Sequence, residues 1–174
     1  MSGPVGDHGV TIMLARGELD IEADLASDTA PLNGLVAAPA GAVPGVRAMR
    51  DATRGGVATI LNEVAGGGRR GRGGRGGRRS RSAPEVRGAA ELLGIDPMYV
   101  ASEGRLVAVV DGGSRPTTRW PRCARIRSAS RPRSSATITA DQPGIVLLKT
   151  AFGGTRIVDL LVGDPLPRIC SPPD

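Results

Sequence analysis

Aromatic side chains are almost missing from this sequence: one Trp, one Tyr and one Phe make up 2% of 174 residues. A core must therefore be built from Val, Leu, Ile and Ala. Cysteine is scarce too. Cys123 and Cys170 are too few for a disulfide framework and have no zinc-ligand spacing, so both are expected as reduced thiols and no metal cluster is expected. Long apolar runs are lacking as well. None approaches the roughly 20 residues of a membrane span, and the start has neither a charged n-region nor an apolar h-region. A soluble, cytoplasmic, single-domain protein without membrane contact is the expectation.

Acidic residues are absent from two stretches, and this changes the meaning of the net charge of +6. Residues 66–82 and 112–135 hold seven arginines each and no Asp or Glu; without them nine basic residues face 17 acidic ones, a net −8. The chain reads as an acidic protein interrupted by two arginine-rich inserts. An RGG-like run at 66–82 is an alternative reading as an RNA-binding module. It has no Phe or Tyr between its arginines, so it would bind through phosphates rather than stacking, and a solvated, disordered insert is the expected state.

What is present between the inserts alternates short apolar runs with helical patterns. The β-branched run Val10-Thr11-Ile12-Met13-Leu14 suits a buried strand behind a glycine turn. A short helix entered at Pro31 and left at Gly41 is possible. Val57, Ile60, Leu61 and Val64 share one helix face just after Arg54-Gly55-Gly56, and Pro84 to Leu93 reads as a helix closed by Gly94. Leu106–Val110, Gly144–Leu148 and Ile157–Val162 read as buried strands. The pattern predicts an α/β class, an α+β sandwich of one mixed sheet with packed helices.

Candidate chemistry starts at the far end. Cys170, behind Arg168 on a polar tail, is placed to act as a movable thiol, because a nearby cation favours the nucleophilic thiolate. Glu103, just before the strand at 106–110, is a carboxylate at a strand end, where a general base can stand. At Arg54-Gly55-Gly56 a glycine turn opens a helix whose N-terminal amides favour an anion. His8, in Asp7-His8-Gly9, reads as structural rather than as a ligand.

Four phrases carry a resemblance: SGPVGDHGVTIM at 2–13, RDATRGGVATILNEVA at 50–65, ELLGIDPMYVASEGRLVAVV at 91–110 and GGTRIVDLLVGDPLPRIC at 153–170. In this order they resemble the C-terminal half of the HypE family of hydrogenase maturation factors, carbamoyl dehydratases of the aminoimidazole-ribonucleotide-synthetase-like superfamily. Selenophosphate synthetases and thiamine-phosphate kinases, elsewhere in that superfamily, lack the terminal PRIC. The resemblance implies the C-terminal domain of that fold over residues 1–170 and a flexible tail at 163–174. It implies a reaction in [NiFe]-hydrogenase maturation: ATP-dependent dehydration of an S-carbamoyl group on the C-terminal cysteine to thiocyanate, the source of a cyanide ligand. On this chain the carrier is Cys170 and the base is Glu103. Asp51, Thr53, Arg54, Gly55 and Gly56 fall in the phosphate-handling region. The implied cofactor is ATP with Mg, held mainly by an N-terminal half that the four phrases do not include. The implied partners are the carbamoyltransferase HypF and a HypC–HypD iron scaffold, with homodimers in intact members.

The resemblance fails at the inserts, 66–82 and 112–137 by its measure. A shifted reading frame in GC-rich DNA explains both. Back-translation of Arg78–Ser82 with GC-rich codons, read in the shifted frame, yields Ala-Ile-Pro-Val, the phrase the family carries before a PEVRGA-like segment, here Pro84–Ala89. The same offset applied to residues 119–130 yields VAALRAHPLG, so Cys123 and Trp120 have no expected role. Ser171-Pro172-Pro173-Asp174 follow the cysteine where the family stops, and with the ATP half lacking the chain is expected to be inactive on its own. Reading the DNA in three frames should reveal both repairs; verified, uninterrupted sequence in the present frame would sink the frameshift account.

Overall fold

The structure, a computed structural model, describes residues 1–37, 45–67, 73–76, 82–111, 136–140, 142–150 and 152–161, with residues 73–76 described as backbone. The first element is a helix, α1 (Asp7–Ala15), where a strand was expected. The β-branched run is overruled by packing. Gly6, Gly9 or Val10, and Met13 recur at helical spacing, and that face is the buried one. Gly6 starts the helix at φ 90. A Cβ on Gly9 would come within 2.5 Å of Val100 Cγ1, so the glycine lets α1 lie directly on the 100–101 backbone, where the Gly9 N–H donates to Ala101 O at 3.1 Å. This contact against a fixed backbone outweighs the few tenths of a kcal/mol that separate Val, Ile and Thr from better helix formers.

A short helix, α2 (Asn33–Ala37), falls inside the predicted 31–41 span, whose end lies outside the described residues. Strand β1 (Val46–Asp51) leads through Ala52–Gly55 into α3 (Gly56–Gly67), and α4 (Pro84–Leu93) runs to a left-handed Gly94 at φ 67, with Pro84 in its first turn. A 3-10 turn (Pro97–Tyr99) is capped by the Asp96 carboxylate, which accepts the Met98 N–H at 2.8 Å. The remaining strands are β2 (Gly73–Gly76), β3 (Leu106–Val110), β4 (Ala136–Thr139), β5 (Val146–Lys149) and β6 (Thr155–Ile157).

The strands form two sheets, not the one expected. β1 and β3 pair antiparallel, from Val46 opposite Val110 to Asp51 opposite Leu106. The other sheet has the order β4-β2-β5-β6, with β2 parallel to β5 and antiparallel to β4. Two expected strands shift: β5 runs 146–149 rather than 144–148, and β6 runs 155–157 rather than 157–162, sharing only Ile157 with the expected span and lying exposed rather than buried. Within the stretches expected to be disordered, Gly73–Gly76 instead pair with Ala136–Thr139, the Arg75 and Gly76 partners Thr137 and Ala136 coming from the second stretch. Main-chain hydrogen bonds need no apolar side chains, so a glycine-rich segment can enter a sheet that propensity argues against. Residues 112–135 lie outside the described residues.

Two apolar clusters hold these parts together. In one, Val57, Ala58 and Ile60 of α3 pack with Val5, Ala52, Met98 and Val107, and reach the four-stranded sheet at Val146 and Val158. In the other, Val10 and Met13 of α1 meet Val86 and Ala89 of α4 around Val100. Neither contains a buried aromatic residue, as the composition required. Polar ties fasten β6 and the segment after it: Arg156 of β6 pairs with Asp96, the Asn62 amide donates to Val158 O at 3.0 Å, and the Tyr99 hydroxyl donates to Asp159 O at 2.8 Å. No helix among the described residues is long and apolar enough to cross a membrane.

Gly56 is the tightest point of this frame. Its φ is +60, and an added Cβ would lie 2.4 Å from Met98 O and 2.7 Å from Val100 O, both backbone atoms. Gly56→Ala should therefore cost roughly 3 kcal/mol or more, since left-handed strain adds to a clash that cannot relax. Gly88, exposed in mid α4 with nothing within 4 Å of its would-be Cβ, gives the contrasting case. Gly88→Ala should stabilise by about 0.5–1 kcal/mol. Urea unfolding of the two variants checks both signs.

Candidate functional site

Two loops carry the described candidate residues, and one residue joins them. Ala52 lies just past the end of β1; its N–H donates to Arg105 O at 3.0 Å and its carbonyl accepts the Ser102 N–H at 2.9 Å. These bonds continue the β1–β3 ladder beyond Asp51 and Leu106. They bring the turn at Thr53–Gly56 and the start of α3 alongside Glu103. The structure therefore unites Asp51, Thr53, Arg54, Gly55, Gly56 and Glu103 at one end of the small sheet. Cys170 and the whole 163–174 tail lie outside the described residues, as do Cys123 and Trp120.

Glu103 is half-buried, and its carboxylate makes no hydrogen bond or ion pair among the described residues. Its backbone N–H, by contrast, is held by Asp28 Oδ1 at 3.0 Å. On the other loop, Arg54 is exposed and forms no ion pair among the described residues. Gly55 and Gly56 both adopt left-handed backbone, with Gly56 N–H donating to Thr53 O at 3.0 Å. The sequence reading gave these glycines to a phosphate. The geometry gives each a reason inside the fold: a Cβ on Gly55 would meet Thr59 Oγ1 at 2.1 Å, and one on Gly56 would meet the 98–100 backbone. What remains for an anion is the Arg54 guanidinium and the first amides of α3, donors that suit phosphate oxygens.

Beneath the Glu103 loop lies a buried ionic cluster that sequence reasoning did not find. The Arg105 side chain is 1% exposed. Its Nη2 reaches Asp7 Oδ2 at 3.1 Å, its Nε faces Asp28 Oδ2 at 3.1 Å, and Nε also donates to Pro4 O at 2.6 Å. Ser102 contributes by accepting the Gly6 N–H on its Oγ at 3.0 Å. Both Ser102 and Arg105 flank Glu103 in the ASEGR phrase, but nothing local marks an arginine as buried. Asp28 sits in a polar, aperiodic run, Ala26 to Ala30, that carries no signal.

His8 is also fixed structurally. Its Nδ1 meets Ser27 Oγ at 2.9 Å and Thr29 Oγ1 at 3.3 Å, while Nε2 is buried with no hydrogen-bond partner among the described residues. No set of three or more His, Cys, Asp or Glu able to hold a metal gathers among the described residues.

Two carboxylates share one guanidinium here, and the balance shows at Asp7. Burial raises its pKa above the ordinary 3.8; Arg105 pulls it down, and the Asp28 charge pushes it further up. The fold therefore binds a proton at Asp7 more readily than the unfolded chain does. That contribution is fully present below the unfolded pKa and is lost as pH rises through the raised one. Asp7→Asn should remove this acid-side contribution and flatten the dependence of the melting temperature on pH above 3.8. Arg105→Ala, which leaves both carboxylates buried without their cation, should cost on the order of 3–5 kcal/mol in denaturant unfolding.

Comparison with known proteins gives a consistent picture. Residues 1–118 match the family described as AIR synthase related protein, C-terminal domain. The carbamoyl dehydratase HypE of Azotobacter vinelandii is 45% identical over 177 aligned positions, which cover 98% of this chain and 49% of that protein. Among solved structures, E. coli HypE superposes with a TM-score of 0.81 at 34% identity, over 97% of this chain and 51% of that one. A HypE structure in complex with ATP gives 0.76 at 31% identity, covering 97% and 51%. A HypE–HypF complex gives 0.74 at 31% identity, covering 90% and 50%. The chain thus spans about half the length of the relatives it matches.

Proposed function

The chain belongs to the AIR-synthase-related family through its C-terminal domain and matches the C-terminal half of HypE carbamoyl dehydratases, and we propose on that premise that it carries the thiol and the base of such a reaction. Cys170 is the acceptor of a carbamoyl group, delivered by a carbamoyltransferase of the kind seen in the HypE–HypF complex. Glu103 takes one proton from the carboxamide nitrogen as its oxygen is phosphorylated, passes it to solvent, and takes the second as phosphate leaves and the C≡N bond forms. ATP, which a related HypE binds, supplies the phosphoryl group that makes the amide oxygen a leaving group. Arg54 and the start of α3 receive the anionic oxygens of that group, and Asp51 and Thr53 frame the same turn. The product on sulfur is a thiocyanate, a cyanide donor for a nickel–iron hydrogenase centre.

One observation supports this assignment above the others. The two hydrogen bonds of Ala52 join the loop of Glu103 to the turn of Arg54 at the start of α3, and among the described residues neither the Glu103 carboxylate nor the Arg54 guanidinium has a hydrogen bond or ion pair. Proton removal and phosphate departure are the two events the dehydration needs, and the site holds one group suited to each.

The test has two readouts. Incubation with the partner transferase and carbamoyl donor should add one carbamoyl group at Cys170, seen by peptide mass; modification elsewhere, or none even after removal of residues 171–174, counts against the thiol assignment. With ATP and the complementary N-terminal half supplied, Glu103→Gln should load normally. Its conversion to thiocyanate should fall by about 100-fold or more, the usual contribution of a positioned base.

A further inference from the structure

Asp28 belongs to a segment, residues 27–30, that forms no helix or strand, yet its side chain is fully buried. Both carboxylate oxygens face the loop that carries Glu103, Oδ1 through a hydrogen bond and Oδ2 through charge alone, with no hydrogen bond among the described residues. Oδ1 accepts the Glu103 N–H at 3.0 Å, and Oδ2 faces Arg105 Nε at 3.1 Å. Its backbone completes the contact: a Cβ on Gly104 would fall 1.7 Å from Asp28 O and 3.3 Å from Ala30 N. Three successive residues, 103 to 105, are thus gripped by amide, by close backbone approach and by charge. On either side, Ser27 and Thr29 anchor the segment to His8 of α1.

We propose that Asp28 is the positioning residue for Glu103: by holding its amide, the Asp28 carboxylate fixes the direction in which the Glu103 side chain leaves the loop. Among the described residues the half-buried Glu103 carboxylate has no hydrogen bond or ion pair to orient it, so its aim there is set by its backbone. A charge-assisted bond from a carboxylate to a backbone N–H is among the stronger and shorter ones available for this. The inference rests on the reading of Glu103 as the proton acceptor, but its test needs no turnover.

In the labelled protein, a scalar coupling across the hydrogen bond should link the Glu103 amide nitrogen to the Asp28 side-chain carboxyl carbon. Its absence overturns the proposal. Asp28→Ala should speed exchange of the Glu103 amide roughly tenfold, the equivalent of one hydrogen bond, and shift the Glu103 side-chain carboxyl signal. Asp28→Asn keeps an acceptor oxygen but loses the charge opposite Arg105; it should leave the Glu103 amide and carboxyl signal close to the parent. Both variants weaken the pairing with Arg105, so a purely stabilising role predicts equal effects in both, spread over the α4 amides as well, and that pattern also overturns the proposal. Should Asp28→Ala not fold, the parent coupling and the Asp28→Asn signals still decide. A Glu103→Gln protein that retains dehydration would remove the base assignment while leaving the coupling in place, so the two failures are distinct.

Discussion

The rest of the structure hangs on Arg105. One buried guanidinium meets the 2–7 segment at Pro4 and Asp7, the 27–30 segment at Asp28, and its own loop at Gly104 O. Taking a guanidinium and two carboxylates out of water is expensive, and the attraction between them offsets that cost only with good geometry and extra hydrogen bonds. The backbone carbonyls supply the extra bonds. The outcome is specificity of arrangement rather than bulk stability: the helix start at Asp7, the irregular segment at Asp28 and the loop at 102–105 can satisfy the cluster in one mutual placement. The Glu103 loop is thereby fixed from below, while Ala52 fixes it from the side.

Function and fold overlap differently on the two loops. On the Thr53–Gly56 turn, the glycines that drew attention as a phosphate signature answer to Thr59 and to the carbonyls of Met98 and Val100. Their chemistry is indirect: they let α3 begin where it does, and the helix start then offers its amides. On the Glu103 loop the reverse holds. Gly104 and Arg105 are committed to packing and charge, while the half-buried Glu103 carboxylate has no hydrogen bond or ion pair among the described residues.

Local rules read the helices that end in clear punctuation. Pro84 and Gly94 bracket α4 at the residues where Pro sets a helical φ and Gly takes the left-handed turn, and the periodic Val57, Ile60, Leu61 and Val64 mark α3 within three residues of its observed C-terminus at Gly67. The same rules misread α1, because Val10, Thr11 and Ile12 favour strands locally while Gly6 and Gly9 serve contacts made by residues far along the chain. β1 escaped notice because Arg47, Arg50 and Asp51 break any apolar alternation, its hydrogen bonds being made to β3. Of the candidate site, the positions of Glu103 and of the glycine turn before α3 were legible in the four phrases. The cluster beneath them was not: Arg105 and Asp7 are 98 residues apart in sequence, and burial of a charge leaves no trace in composition.

The middle of the four-stranded sheet carries an unusual seam. β4 pairs with β2 and not with β5, so its connection to the sheet passes through Gly73-Gly74-Arg75-Gly76. Each glycine gives up more backbone freedom on pairing than another residue would, by about 0.5–1 kcal/mol relative to alanine. The sheet is therefore asymmetric in time as well as in space. Openings of low free energy will release β4, which joins the sheet through β2 alone, before β2 and β5, both of which lie against α3. The strands behind it stay closed against α3, and local melting at that edge need not disturb the Glu103 loop.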